Sequence, residues 1–348
     1  MLKKIDTGFI LRAILTLVIV FILLSILAGI NGASTTLQST NPLIFAIAAS
    51  FFILSILLWL FSWAYLLKKR VNLSYSSLLL TGFCSVFGSL TPVQLGSDAL
   101  RGFLLKDRFG VSFTKVISAS LIVKGIKFLL LALTSSLIFG FFLFEGTLNS
   151  TLFYSLLSGF LMVIFATLLF LLPLKKSFGR KIARFFGNFS KVKYLGFCSK
   201  VEEFFISYSA YLHRISVSSF AIAFFFAFLS WIAEFLALYF VFDSLSLTIP
   251  FSVLLSLFVL VAVLERTPFL PRGIGLIEII GIVFLSIPVF ENFSLSFGEI
   301  ASIMVLFNIV RLVIPTLLSL IVFLLSSTAK IERKNLYLSK DEKQSHNV

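Results

Sequence analysis

The sequence predicts an all-α integral membrane protein with six full spans and two broken or re-entrant hairpins, arranged as an inverted-topology repeat. Composition, apolar run length and the placement of Lys and Arg each point there. Of 348 residues, 59% are hydrophobic and 13% charged, against about 45–50% and about 25% in soluble domains. With a mean hydropathy of +1.08, one soluble core cannot hide the apolar surface, so lipid has to be the solvent. A soluble enzyme, a nucleic-acid-binding domain and a disulfide-rich secreted domain are excluded on that ground. The net charge of +14 reads as the Lys/Arg excess of cytoplasmic loops.

A crossing helix needs about 20 apolar residues. Stretches 8–29, 42–67, 115–144, 151–173, 215–242 and 300–327 meet that standard. The first follows a basic start, as in a signal peptide, but exceeds an h-region of about 7–15 residues. It is read as a retained span. Two further apolar stretches are interrupted. Residues 74–110 are broken at Gly88, Pro92 and Gly96. Residues 250–290 are broken at Glu265–Arg266, Pro268, Pro271, Gly273 and Gly275.

Charge sets the sides. Lys3 and Lys4 precede the first span, Lys68, Lys69 and Arg70 follow the second, and residues 175–214 carry nine Lys/Arg. Residues 328–348 form a polar tail with further bases, while connections 31–41, 145–150, 243–248 and 291–299 hold none. Both termini are therefore expected in the cytoplasm of a multi-pass cell-membrane protein. Parity then makes 74–110 a cytoplasm-facing hairpin and 250–290 an outward-facing one. The first repeat covers 1–150 and the second 151–327, with the same order and opposite orientation. Such repeats, with paired Gly/Pro-interrupted segments, mark transporter binding sites near the midplane. The basic loop 175–214 places Val201, Phe204, Tyr208, Tyr211 and Leu212 at helical spacing, as for a helix lying on an anionic leaflet.

Charges inside spans cost at least about 2.5–3.5 kcal/mol near the bilayer centre, so they face a cavity or a partner. The candidate headgroup-binding residues are Asp98, Arg101, Lys124, Lys127, Glu234, Glu265, Arg266, Arg272, Glu278 and Arg311. Arg101, Lys124, Lys127, Arg272 and Arg311 are expected to bind an anion, since guanidinium suits phosphate. Asp98, Glu234, Glu265 and Glu278 balance them or meet a cationic headgroup. Pro92, Gly96, Pro271, Gly273 and Gly275 shape the hairpins. The structural alternatives are snorkelling of Lys124 and Lys127, a bridge between Arg311 and Glu234, Asp98 and Arg101 stapling their own hairpin, and a local Glu265–Arg266 ion pair. His213 and His346 lie outside the spans, and Cys84 and Cys198 read as free thiols. No catalytic residue, metal or cofactor is expected.

Two blocks carry a family resemblance. Thr91-Pro-Val-Gln-Leu-Gly-Ser-Asp-Ala-Leu-Arg101-Gly-Phe-Leu-Leu resembles the "TPG-x-x-GG-D-x-x-R-x-x-L-L" stretch of the lysylphosphatidylglycerol synthase transmembrane-region family. Thr267-Pro-Phe-Leu-Pro-Arg-Gly-Ile-Gly-Leu-Ile-Glu278, which shares its Thr-Pro with the first block, resembles the family's "P-x-P-G-G-x-G-x-x-E" block. Pro92, Gly96, Asp98 and Arg101 match the first, and Pro271, Gly273, Gly275 and Glu278 the second. Val93 and Ser97 replace glycines, Arg272 stands where glycine is usual, and Val123-Lys124 stands where the family often has Glu-Arg. The family includes the membrane half of the multiple peptide resistance factor, which moves aminoacylated phosphatidylglycerol between leaflets. It also has members linked to polyprenyl-phosphate sugars.

The resemblance implies a flippase-like transporter passing a phosphate-bearing lipid headgroup through a basic cavity. With 21 residues after Ser327, no soluble aminoacyl-transferase domain is expected, nor synthesis of that lipid by this chain. No P-loop is visible, so gradients or lipid supply would drive movement. The expected partners are anionic or phosphate-bearing membrane lipids, not nucleic acid, and homo-oligomers are compatible with the sequence. The rival classes are an integral lipid-phosphate transferase or hydrolase, a small-anion or solute carrier, and a membrane scaffold.

Overall fold

The computed structural model describes residues 38–90, 95–145, 215–266, 271–286 and 295–326, with isolated positions between 157 and 211. The predicted span 8–29, most of 151–173 and 175–214, the tail, Pro92 and both Thr-Pro pairs lie outside them. In chain order the described residues form α1 (Pro42–Lys68), α2 (Tyr75–Cys84), a 3-10 turn (Val86–Leu90), α3 (Leu95–Phe109) and α4 (Phe113–Glu145). Then come α5 (Val217–Ser244), α6 (Phe251–Leu264), a second 3-10 turn (Pro271–Gly273) and α7 (Leu276–Ser286). Helix α8 starts at Phe297 and reaches Ser326 through a π turn at Ile309–Val313.

Among the described residues, four helices are long and apolar enough to cross a membrane: α1, α4, α5 and α8. They coincide with the predicted spans 42–67, 115–144, 215–242 and 300–327. The other two predicted full spans fall outside the described residues. The molecule is an all-α, multi-span membrane protein.

Local chemistry sets the helix ends. Asn41 caps α1, its Oδ1 accepting from the N–H groups of Leu43 and Ile44 at 3.0 and 3.3 Å, and Pro42 sits where no N–H is needed. Ser216 caps α5, and Ser296 with Glu299 forms a capping box on α8. Helix α1 turns Leu43, Leu54 and Leu57 outward, as a lipid-immersed helix does.

The most extensive pairing is α1 against α5. It is antiparallel. Asn41 N–H donates to Ser244 O at 2.8 Å at one end, and Lys69 Nζ to Ser219 Oγ at 2.6 Å at the other. A buried stripe of small residues, Ser219, Ala223, Ala227, Ser230 and Ala237, runs along α5. It lets the backbones approach until Ser62 Oγ reaches Ala223 O at 2.7 Å. Lipid offers no hydrophobic drive for helix pairing, so close packing and such bonds hold the pair.

The interrupted segments contain short helices. Helix α2 packs on α3, α6 packs on α7, and the two 3-10 turns touch each other. Lys69 and Arg70 share a cavity with Lys115. Residues 70 and 115 therefore lie at the same end of the bundle. At the first break, Ser319 Oγ of α8 accepts from Phe87 N–H at 3.0 Å and donates to Phe83 O at 2.7 Å. A side chain thus satisfies backbone groups that a broken helix frees. A Cβ on Gly88 would lie 2.9 Å from the backbone C and O of Gly96, so two backbones meet where Gly88 was expected to break the stretch and Gly96 to shape the hairpin.

Gly88→Ala is expected to lower the thermal midpoint of the purified protein by the equivalent of about 1–3 kcal/mol, because a backbone cannot swing aside. Gly140→Ala, whose Cβ would meet nothing within 4 Å, is the matched control. Equal midpoints for the two variants would refute the contact.

One expectation needs correcting. Tyr208 and Tyr211 were assigned to a face lying on lipid. Both are buried in the core, and the Tyr211 hydroxyl donates to Leu66 O at 3.1 Å. At these positions the aromatic face packs on the bundle, because the last carbonyls of α1 need donors.

Candidate functional site

Helix α3 carries charge on its inward face. Asp98, Arg101 and Leu105 are buried while Phe103 is 62% exposed, the reverse of a soluble amphipathic helix. Arg101 is fully buried. Its Nε donates to Ser85 Oγ at 3.1 Å and its Nη1 to Ser120 Oγ at 3.4 Å. Its guanidinium lies 4.5 Å from the Trp63 ring and 5.1 Å from the Trp59 ring. Asp98 sits 3.8 Å from Arg101 and 2.5 Å from Lys124 Nζ.

Lys127, one turn on, takes a different partner. It pairs with Glu234 of α5 at 2.5 Å and stands 5.6 Å from the Trp59 ring. Lys127 is fourteen residues into α4, about 21 Å along its axis. A snorkelling lysine would not be held by a carboxylate there. Arg311 is equally deep in α8.

The second break builds the other side. Arg272 donates to Glu265 Oε1 at 2.9 Å. Arg272 Nη1 donates to Arg311 O at 3.1 Å, and Arg311 Nη1 returns a bond to Arg272 O at 2.8 Å. The reciprocal pair clamps the 3-10 turn to the π turn of α8, a helix defect often found at functional sites. Arg311 Nη2 also donates to Asn308 Oδ1 at 2.7 Å and lies 3.8 Å from Glu278. Arg311 therefore joins Glu278 rather than Glu234. Arg266 donates to Ala262 O and lies 5.5 Å from the Trp231 ring. Glu265 and Arg266 act on each other electrostatically.

These groups form one network. Arg266 lies within electrostatic reach of both Glu234 and Glu265, and Glu265 also feels Lys127 and Arg311. Asp98, Arg101 and Lys124 join them through the Trp59 ring, which Arg101 and Lys127 both approach; together the ten expected charges are six bases and four acids, a net +2. Several buried atoms in it have no hydrogen-bond partner: Arg101 Nη2, Arg311 Nε, Asn308 Nδ2, Asp98 Oδ1 and both Glu278 oxygens. Buried polar atoms in native structures are nearly always satisfied, so these are places for water or a ligand. No group of three metal-ligating side chains occurs among the described residues.

The tryptophans were missed from sequence. The chain has three, and each stands under a guanidinium of the network. Their scarcity was the available signal. Ser85, Ser120 and Ser319 carried none, because serine is common in such spans.

The family model of the lysylphosphatidylglycerol synthase TM region matches residues 10–319. The chain belongs to this family. A "UPF0104 membrane protein" of Methanothermobacter thermautotrophicus is 23% identical over 328 residues, covering 90% of this chain and 92% of that one. No solved structure matches.

Membership gives the departures at the two blocks a physical reading. Arg272, where the family usually has glycine, takes a left-handed φ of 49° beside Gly273 at 67° and Gly275 at 83°. That backbone favours glycine. The arginine holds it through its bonds to Glu265 and to Arg311 O. Lys124, in the family's Glu-Arg position, keeps a cation beside Asp98. Among the hairpin-shaping residues, Gly273 and Gly275 hold positive φ, and a Cβ on Gly273 would meet Leu264 O at 2.8 Å. Pro271 opens the 3-10 turn.

Proposed function

We propose that this chain is a flippase-like transporter of the cell membrane. It passes a phosphate-bearing headgroup between leaflets while the acyl chains stay in lipid. The headgroup is that of a phospholipid, an aminoacyl-phospholipid or a polyprenyl-phosphate-linked lipid. The observation that carries the reading is the buried ten-charge network, with unpartnered donors on Arg101, Arg311 and Asn308. Ion pairs that only held helices together would leave fewer buried atoms unmet. Net positive charge and guanidinium donors favour phosphate.

In this reading the molecule has six full spans and two hairpins in an inverted-topology repeat, both termini cytoplasmic. The packing of α2 on α3 and of α6 on α7, and the meeting of their 3-10 turns, support it. The chain acts as a carrier rather than an enzyme, with membrane lipid as its partner.

The test is leaflet exchange. Purified protein enters liposomes holding fluorescent phosphatidylglycerol, lysylphosphatidylglycerol or a polyprenyl phosphate, and an impermeant quencher reads the outer fraction. Protein-dependent exchange of one lipid is expected, reduced at least about tenfold in Arg311→Gln, the loss of one charge-assisted hydrogen bond. Headgroup turnover without exchange would favour the transferase or hydrolase. Anion flux without a lipid requirement would favour a small-anion carrier.

A further inference from the structure

One acid of the network stands apart. Asp98 has Lys124 at 2.5 Å, Glu234 has Lys127 at 2.5 Å and Glu265 has Arg272 at 2.9 Å. The nearest cation to Glu278 is Arg311, at 3.8 Å, beyond hydrogen-bond range. Glu278 is 2% exposed, and neither of its carboxylate oxygens has a hydrogen-bond partner. An ionised carboxylate so placed lacks the donors that normally offset its burial.

The elements packed on Glu278 are known among the described residues. Helix α7 packs on α6 and α8. Helix α6 carries no charge, and Glu265 at its end belongs to Arg272. On α8, Glu299 is used in the cap with Ser296, which leaves Arg311 as the charge facing Glu278. One turn along α7, a Cβ on Gly281 would lie 2.7 Å from Met304 Sδ of α8. The two helices touch there, and a proton is the ligand that needs no cavity.

Arg311 is shared. Its Nη1 and Nη2 donate to Arg272 O and Asn308 Oδ1. Its Nε and the Nδ2 of Asn308 are buried without partners. These donors, one turn apart on α8, suit a phosphate. A phosphate held there takes the charge of the guanidinium away from Glu278 and adds a negative charge beside it. Both changes favour a neutral carboxyl.

We infer that Glu278 is a proton-binding site and that the proton is the coupling ion. On loading, phosphate oxygens accept from Arg311 Nε and Asn308 Nδ2, and a proton from water forms an O–H bond on Glu278. On release Arg311 returns to Glu278, that O–H bond breaks, and the proton leaves to water on the far side. One phosphodiester headgroup and one proton then cross together with no net charge. A proton on Glu278 strengthens headgroup binding by the same factor as the headgroup strengthens proton binding. The coupling rests on the flippase reading; the proton site does not.

The first test needs no lipid. Arg311→Gln removes the counter-charge, as a bound phosphate does. Its infrared spectrum at neutral pH is expected to show a neutral-carboxyl C=O band that the parent lacks and that Arg311→Gln/Glu278→Gln loses again. Arg311→Met is the second variant should the glutamine fail to fold. The second test uses proteoliposomes with fluorescent phosphatidylglycerol, a phosphodiester that does not titrate near neutral pH, under a transmembrane pH step. The parent is expected to enrich lipid in the leaflet on the alkaline side, by up to about tenfold per pH unit for one proton per lipid. A potassium–valinomycin potential is expected to change nothing. Glu278→Gln, whose lost oxygen accepts no hydrogen bond, is expected to fold and to lose the bias.

The band without lipid exchange by the parent keeps the proton site and removes the flippase reading. Exchange without the band, or a bias that survives in Glu278→Gln, overturns the proton site and leaves the flippase reading intact. A band that persists in the double variant belongs to another carboxyl and also overturns it.

Discussion

Glu234→Gln is expected to destabilise the folded protein by about 3 kcal/mol, the lower end of the cost of orphaning one partner of a buried pair. Lys127 is then left some 21 Å along α4 with its 2.5 Å partner gone. Glu265 is within electrostatic reach of it but forms its ion pair with Arg272. The pair also joins helices from the two halves of the chain, so its loss loosens α4 from α5. The double variant Lys127→Met/Glu234→Leu is expected to recover most of the stability, since apolar replacements of buried pairs are often neutral. It is expected to stay inactive in exchange, because the network has lost two members. Denaturant midpoints of the singles and the double give the coupling energy. A single variant as stable as the parent would show that the pair does not bind the halves. A double variant with full exchange would remove Lys127 and Glu234 from the site.

Arg101 is expected to give the largest functional loss. Arg101→Gln should cut lipid exchange by at least about tenfold, the weight of a charge-assisted hydrogen bond at a desolvated site. The fold should survive, because Asp98 keeps Lys124 at 2.5 Å. The sharper variant is Arg101→Lys. It preserves charge, but an ammonium cannot lie flat between the indoles of Trp59 and Trp63 while forking to Ser85 and Ser120. Exchange should remain close to the Gln level. Full activity in Arg101→Lys would reduce the role of Arg101 to a point charge.

The sequence by itself determined the class of molecule and its inventory. Run length and composition placed α1, α4, α5 and α8 to within a few residues, because the cost of burying polar groups in lipid is paid residue by residue along the chain. Glycine and proline marked both breaks, since backbone conformation is local: Gly273 and Gly275 do hold positive φ. The same cost made every charge within the spans conspicuous, and all ten belong to one network.

Partnership was decided by tertiary structure alone. Lys124 and Lys127 share a helix face, yet one takes Asp98 and the other Glu234, 107 residues away. Arg311 passes over Glu234 for Glu278 and the Arg272 carbonyl. Three tryptophans became cation platforms, and Tyr208 and Tyr211 turned from lipid to protein. Local spacing says which side chains share a face. Which face meets which depends on how closely two helices approach, and in lipid that is set by small residues such as Ala223 and Ala227, whose effect appears only once both helices are in place.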